Sequence, residues 1–279
     1  MAPEAGLRIA DALAQARALD VDRLDAQWLL CHLLGRSRAW LMAHDDSHLP
    51  EPAAASWPGL LARRAGGEPL AYVVGEREFC GLTLLVSPAV LVPRPETELL
   101  VEWALQRLAS APAPTVIDLG TGSGAIALAI KQAAPAARVL ATDASAAALG
   151  VARANATRLG LDLSLAQGYW WEAAGQARFG LAVCNPPYIA AADSHLAALR
   201  HEPLAALTPG GDGLAALQEV IQAASRHLLP GAWLLLEHGH DQAGAVQALS
   251  RRAGFGPAQT RSDLAGLPRC TGAPWPAVK

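Results

Sequence analysis

The run Thr115-Val116-Ile117-Asp118-Leu119-Gly120-Thr121-Gly122-Ser123-Gly124, followed by Ala125-Ile126-Ala127-Leu128-Ala129-Ile130-Lys131, constrains the fold of this chain most. It reads as strand, glycine turn and helix. Glycines let a backbone approach a ligand closely, and a helix N-terminus favours a carboxylate or phosphate. Asp143 closes a second strand, residues 137–142, where an acid is placed to hydrogen-bond ribose hydroxyls. From Thr115 onward, strand-like runs at 115–119, 137–142, 163–167, 180–184 and 232–237 alternate with helical segments. That alternation predicts an α/β fold with an open, mostly parallel sheet and helices on both faces. Such a sheet binds ligands along the carboxyl ends of its strands. There the sequence places Asp118, Asp143, Gln167-Gly168-Tyr169-Trp170, Asn185 and Glu237.

The glycine turn alone does not choose a chemistry, because Gly120, Gly122 and Ala125 also satisfy the nicotinamide pattern G-x-G-x-x-A. Asn185-Pro186-Pro187-Tyr188 decides it. This stretch follows the apolar run Phe179-Gly180-Leu181-Ala182-Val183-Cys184, where a buried strand should end. A planar nitrogen takes a methyl group only if its delocalised lone pair is steered at the donor. The Asn185 side-chain carbonyl and the Pro186 backbone carbonyl are suited to accept the two N–H bonds of an –NH2 group. That would aim the lone pair and offset the positive charge developing on nitrogen. Tyr188 would pack over the flat group. Read alone, the stretch is equally a Pro-rich turn that ends a strand. Combined with an acid, Asp118, just before the glycine turn, it points to an S-adenosylmethionine site facing an amino or amide nitrogen.

The chain has 279 residues, enough for one large or two modest domains with a substantial core. Its formal net charge is −3, so no global positive field favours nucleic acid. Cys31, Cys80, Cys184 and Cys270 lack metal-ligand spacing, and three of them lie in apolar stretches suited to inert thiols in a reducing compartment. No signal-peptide pattern or uninterrupted apolar run of 18 residues is present, so the expected location is the cytoplasm. The first 70 or so residues read as short helices that must pack together as a bundle. Gly35 is expected to cap the second, and Pro50-Glu51-Pro52 to open the fourth. Phe79 to Val86 reads as a β-hairpin around a glycine, and Val92-Pro93-Arg94-Pro95-Glu96-Thr97-Glu98 as a helix start and hinge. Arg63-Arg64 and Arg251-Arg252 read as exposed helix charges. Glu237-His238-Gly239-His240-Asp241 has the composition of a metal cluster, but on a strand-to-helix turn such residues are more often solvated or capping. No metal is expected.

With these residues in hand, the chain resembles the release-factor glutamine N5-methyltransferases, the HemK-type family, over nearly its whole length. The likeness runs through Glu68-Pro69-Leu70-Ala71-Tyr72-Val73-Val74-Gly75, the Pro-Arg-Pro-Glu-Thr-Glu segment, the glycine turn and Asn185-Pro186-Pro187-Tyr188-Ile189. It continues in His201-Glu202-Pro203, Leu234-Leu235-Leu236-Glu237-His238-Gly239 and Asp263-Leu264-Ala265-Gly266 with Arg269. The resemblance implies a seven-stranded, Rossmann-like class I methyltransferase sheet with a small N-terminal all-helical domain. It implies S-adenosylmethionine as methyl donor and the glutamine amide in the Gly-Gly-Gln motif of peptide-chain release factors as acceptor, a modification that tunes translation termination.

The domains implied are a release-factor-recruiting bundle at 1–72, a β-hairpin linker at 73–92 and the methyltransferase domain at 93–279. Asn185, Pro186 and Tyr188 would be catalytic, with Pro187 joining them against the substrate. Asp118, Leu119, Gly120, Thr121, Gly122, Asp143, Trp170 and Asn185 would hold the cofactor. Where the family has Asp-Trp-Phe after the third strand of its sheet, this chain has Tyr169-Trp170-Trp171. A ribosomal-protein glutamine methyltransferase, a DNA adenine N6-methyltransferase and a catalytically idle binding protein of the same fold are the rival readings. The bundle and the Pro-Arg-Pro-Glu-Thr-Glu segment speak against the first, the acidic balance against the second, and the intact motifs against the third. Neither a membrane nor a direct nucleic-acid partner is expected.

Overall fold

The structure, a computed structural model, describes residues 6–109 and 114–277. By contacts the chain divides into two compact units, Met1–Gly75 and Glu76–Lys279.

The first unit is helical: α1 (Ile9–Ala18), α2 (Arg23–Leu34), α3 (Arg38–Ala43), α4 (Glu51–Ala65) and α5 (Leu70–Val74). Local chemistry sets the helix ends. The Asp22 side chain accepts the Leu24 and Asp25 amides at the start of α2, and Gly35, with φ 60°, closes it in the left-handed conformation. Leu29, Leu30, Leu41 and Trp57 are fully buried at its centre. The Trp57 indole N–H donates to Gln15 Oε1 at 3.0 Å, so the core's largest side chain is buried without an unpaired donor. Arg63 and Arg64 do more than decorate α4. Arg64 Nε meets Asp25 of α2 at 2.6 Å, while Arg63 reaches Glu68 at 2.5 Å and the Tyr72 carbonyl at 3.0 Å. These contacts fasten α4 to α2 and to the turn before α5.

The second unit opens with the hairpin β1 (Glu76–Phe79) and β2 (Leu82–Leu85), which turns at Cys80-Gly81. A 3₁₀ turn, Pro95–Thr97, then leads into α6 (Glu98–Leu108). The sheet elements follow: β3 (Thr115–Leu119), α7 (Ala125–Ala133), β4 (Arg138–Asp143), α8 (Ala146–Leu159), β5 (Ser164–Gln167), β6 (Phe179–Cys184), α9 (Ala215–Ala223), β7 (Leu228–Glu237), α10 (Ala243–Arg252), β8 (Gln259–Ser262) and β9 (Pro268–Pro274). Among the described residues the sheet has seven strands in the order β5-β4-β3-β6-β7-β9-β8. The first five in that order run parallel, while β9 is antiparallel to both β7 and β8. The strands fall where the alternation of the sequence placed them, with the two at the C-terminal edge added.

The inner strands are apolar on both faces because both are covered. Leu100 and Trp103 of α6 with Leu128 and Ile130 of α7 fill one side; Leu217 and Val220 of α9 with Val246 of α10 fill the other. Phe79 and Leu84 of the hairpin belong to the first of these cores. Asn155 of α8, fully buried, accepts the Leu85 amide at 2.6 Å and donates to the Leu85 and Ser123 carbonyls at 3.0 and 2.9 Å. One side chain thus ties the hairpin edge to the glycine turn. Strand order reverses between β3 and β6, and at such a switch point the carboxyl ends of the strands leave a crevice. Among the described residues no helix is long and apolar enough to cross a membrane.

Candidate active site

A cavity of about 520 Å³ lies at this crevice, within the usual range for a small-molecule site. Its wall includes Gly120, Thr121 and Gly122 after β3, Asp143 at the end of β4, Trp170 after β5, and Asn185 and Pro187 after β6. Gly120 has φ 71°, and a Cβ there would meet the Trp170 ring at 3.3 Å. The position therefore needs glycine both for its backbone and for the indole resting on it. Trp170 is itself held at φ 47°, an uncommon conformation for a large side chain, with its indole N–H donating to Glu219 at 3.2 Å. Trp171 instead lies in the core, donating to the Val220 carbonyl at 2.9 Å and stacked on His227.

The turn is braced from within. The Thr121 amide donates to the Thr142 carbonyl at 2.8 Å and the Gly122 amide to Asp143 Oδ2 at 2.9 Å, while Asp143 Oδ1 accepts the Ser145 amide at 2.8 Å. Both Asp143 oxygens keep further lone-pair capacity for a ligand hydroxyl. Asp118 is fully buried, and Thr121 Oγ1 donates to it at 2.6 Å. Burial pushes its carboxyl up to about 7, with the Thr121 hydroxyl offsetting part of the rise. Asp118 and Leu119 therefore support the turn from below and do not form part of the cavity wall.

The acceptor side is built around the loop after β6. Asn185 Nδ2 donates to Thr97 Oγ1 at 3.3 Å. Pro186 is buried, and neither it nor Tyr188 contributes to the wall. The Tyr188 hydroxyl donates to Glu237 Oε1 at 3.2 Å, and its carbonyl accepts from Gln242 Nε2 at 3.0 Å. Gly213 packs so closely here that a Cβ would lie 2.2 Å from the Tyr188 oxygen. Any side chain at 213 would force the loop away. Glu237 is 1% exposed at the end of β7, and burial pushes its carboxyl up to about 7 against the pull of the Thr97 and Tyr188 hydroxyls. Its neighbour His238 is bonded to Thr271 Oγ1 and the Gly239 carbonyl, both at 2.8 Å, and serves the packing of β9.

Two walls of the cavity are joined by Glu202. This buried carboxylate accepts the Val92 amide at 3.0 Å and pairs with Arg94, so the segment before the 3₁₀ turn is clamped to the segment before Pro203. The sequence reading quoted Glu202 and Thr97 only inside longer motifs and gave them no role. Glu219 carries no local signal, since it sits on an ordinary amphipathic helix.

The family described as PrmC N-terminal domain matches residues 5–75, and the one described as Methyltransferase small domain matches residues 96–229. The chain is 53% identical over 253 residues to the release factor glutamine methyltransferase of Bordetella pertussis, covering 90% of this chain and 94% of that protein. It is 50% identical over 263 residues to the protein of the same name from Xylella fastidiosa, covering 93% and 96%. Among solved structures, the 16S rRNA methyltransferase RsmC of T. thermophilus, in complex with AdoMet and guanosine, superposes with a TM-score of 0.54 at 21% identity. That match covers 71% of this chain and 49% of the other, and it speaks for the fold alone. A helical first unit, a switch-point cavity floored by a glycine turn, and near-complete alignment at about half identity agree: the chain belongs to the release factor glutamine methyltransferase family.

Proposed function

We propose that this protein transfers a methyl group from S-adenosylmethionine to the side-chain amide nitrogen of the glutamine in the Gly-Gly-Gln motif of peptide-chain release factors, in the cytoplasm. The observation that carries the reading is the position of Asn185. It lines the same cavity as the glycine turn and Asp143, with its amide nitrogen already engaged by Thr97. Its oxygen is thereby left for an N–H donor.

The cavity suits the methyl donor on three counts. Its volume is that of a small-molecule site, its glycine turn admits close backbone approach, and Asp143 offers a carboxylate suited to ribose hydroxyls. When bound, S-adenosylmethionine supplies a sulfonium methyl open to in-line displacement. Gly120, Thr121 and Gly122 would cradle it, Asp143 would take the ribose, Trp170 would flank the adenine, and Asp118 and Leu119 would hold the turn in shape. On the acceptor side, Asn185 Oδ1 and the Pro186 carbonyl would accept the two amide N–H bonds, with Pro187 and Tyr188 completing the loop. The Asn185 side chain is held by Thr97 before the reaction, so its carbonyl would stabilise positive charge developing on nitrogen with little reorganisation. The amide proton becomes acidic once nitrogen is alkylated, and water suffices to remove it.

Asp143→Ala should weaken S-adenosylmethionine binding by about 1.5–3 kcal/mol, the range for hydrogen bonds to a charged group. Calorimetric titration of both proteins measures it, and unchanged affinity would remove Asp143 from the ribose. The acceptor is tested by mass spectrometry of purified release factor after incubation with the enzyme and S-adenosylmethionine. One added methyl group on the Gly-Gly-Gln glutamine is expected. Methylation elsewhere, or none, defeats the reading.

A further inference from the structure

Strand order spreads the chemistry of the cavity along one line. Asn185 follows β6, the glycine turn follows β3, Asp143 ends β4 and Trp170 follows β5, and these strands are successive neighbours in the sheet. A nucleoside lying along this edge with its ribose at Asp143 has its base at the end of β5, beside Trp170. Adenine carries a 6-amino group with two N–H donors, so a site that reads it needs an acceptor held there. Among the described residues of the cavity wall, two carry carboxylates: Asp143 and Glu219. Asp143 belongs to β4, and Tyr169 stands where the family has an acid and supplies none. Glu219 remains.

Glu219 comes from α9, distant from β5 in the chain, and two adjacent hydrogen bonds bring it to the base end. Trp170 Nε1 donates to Glu219 Oε2 at 3.2 Å, and Trp171 Nε1 donates to the carbonyl of the next residue, Val220, at 2.9 Å. The second bond is buried, with Trp171 4% exposed and stacked on His227. The backbone that carries Glu219 is therefore fixed to the turn after β5. The first bond holds the carboxylate itself against the indole that rests on Gly120. With Oε2 on the indole, Oε1 is left for a ligand, and a carboxylate can only accept.

We infer that Glu219 selects the base of the methyl donor, accepting an N–H of the adenine 6-amino group at Oε1 while Oε2 holds Trp170 in place. The inference rests on the S-adenosylmethionine reading above and deepens it by naming the residue that distinguishes a 6-amino from a 6-oxo purine. Without this carboxylate the glycine turn and Asp143 would still receive the ligand. A 6-oxo base would no longer be turned away, however, because what excludes it is the repulsion between its oxygen and a second acceptor.

The test is calorimetric titration of the full-length protein with S-adenosylhomocysteine and with its deaminated counterpart, S-inosylhomocysteine. The two ligands differ only at position 6 and in the N1 proton that goes with the oxo group. Neither carries a methyl to transfer, so the readout is independent of turnover. Wild type should prefer the 6-amino ligand by about tenfold or more, the low end for a hydrogen bond to a charged group, because Glu219 is exposed. Glu219→Ala should lose most of that preference through weaker binding of the 6-amino ligand. In Glu219→Gln the side-chain oxygen can keep the indole N–H, which leaves –NH2 toward the base. Its preference should therefore shift further toward the 6-oxo ligand than that of Glu219→Ala. Both substitutions fall on an exposed helix position and leave the core untouched. A wild type without preference, a wild-type preference kept in either variant, or equal weakening of both ligands would overturn the inference and leave Glu219 as a support for Trp170 alone. A wild type that binds neither ligand would overturn the cofactor reading itself, and this inference with it.

Discussion

Replacing Asn185 with alanine is expected to cut turnover by about a hundredfold or more, as for the loss of one preorganised polar contact to developing charge. In the ground state the acceptor amide is neutral and its nitrogen lone pair is delocalised. As nitrogen attacks, positive charge gathers on it and its two hydrogens become stronger donors. An acceptor fixed in place gains most at that moment, so its removal costs rate more than it costs binding. Asn185 sits at the end of β6 with its nitrogen held by Thr97, so little motion is needed to use its oxygen. Cofactor affinity should change far less, because the glycine turn and Asp143 are untouched. Single-turnover rates and calorimetric titration separate the two effects. A variant that keeps most of its single-turnover rate would show that Asn185 does not orient the acceptor nitrogen.

Removing the helical unit should separate recognition from chemistry. A glutamine side chain is small and common, and a pocket that holds only its amide cannot tell one exposed glutamine from another. Selectivity must come from contacts remote from the reacting atom, whose binding energy positions the amide. Every residue of the cavity wall lies in the second unit, and that unit has its own two-sided core. A truncated chain starting at Glu76 should therefore still bind S-adenosylmethionine. It should lose most of its activity on intact release factor and much less on a short Gly-Gly-Gln peptide that never reached the bundle. Assaying both substrates with both proteins decides the matter. Equal losses on peptide and protein would mean that the bundle only stabilises the fold.

The strand, turn and helix of 115–131 were legible because each signal there is local. A short apolar run, glycines at consecutive turns and a renewed helical period leave few alternatives. The same holds for the helix end capped by Gly35 and for the loop after β6, where two prolines follow closely on the strand. Asp118 shows the limit of such reading. Its place at a strand end suggested direct ligand contact, yet β3 is central and covered on both faces, so the side chain is buried beneath the turn it supports.

The sequence by itself thus determined the α/β alternation, the sheet edge at which the cavity lies, and the place of Asn185 after β6 on that edge. Only the tertiary structure decided which distant groups meet around that edge: Thr97 against Asn185, Glu202 against Arg94 and Glu237 against Tyr188. Thr97, Glu202 and Glu237 come from segments far apart in the chain, and none has a periodic or motif signal that names its partner. Each is a buried polar group, and such a group must find a partner or bear the cost of desolvation. Which partner it finds is set by how strands and helices stack, and that is known only once the chain has folded.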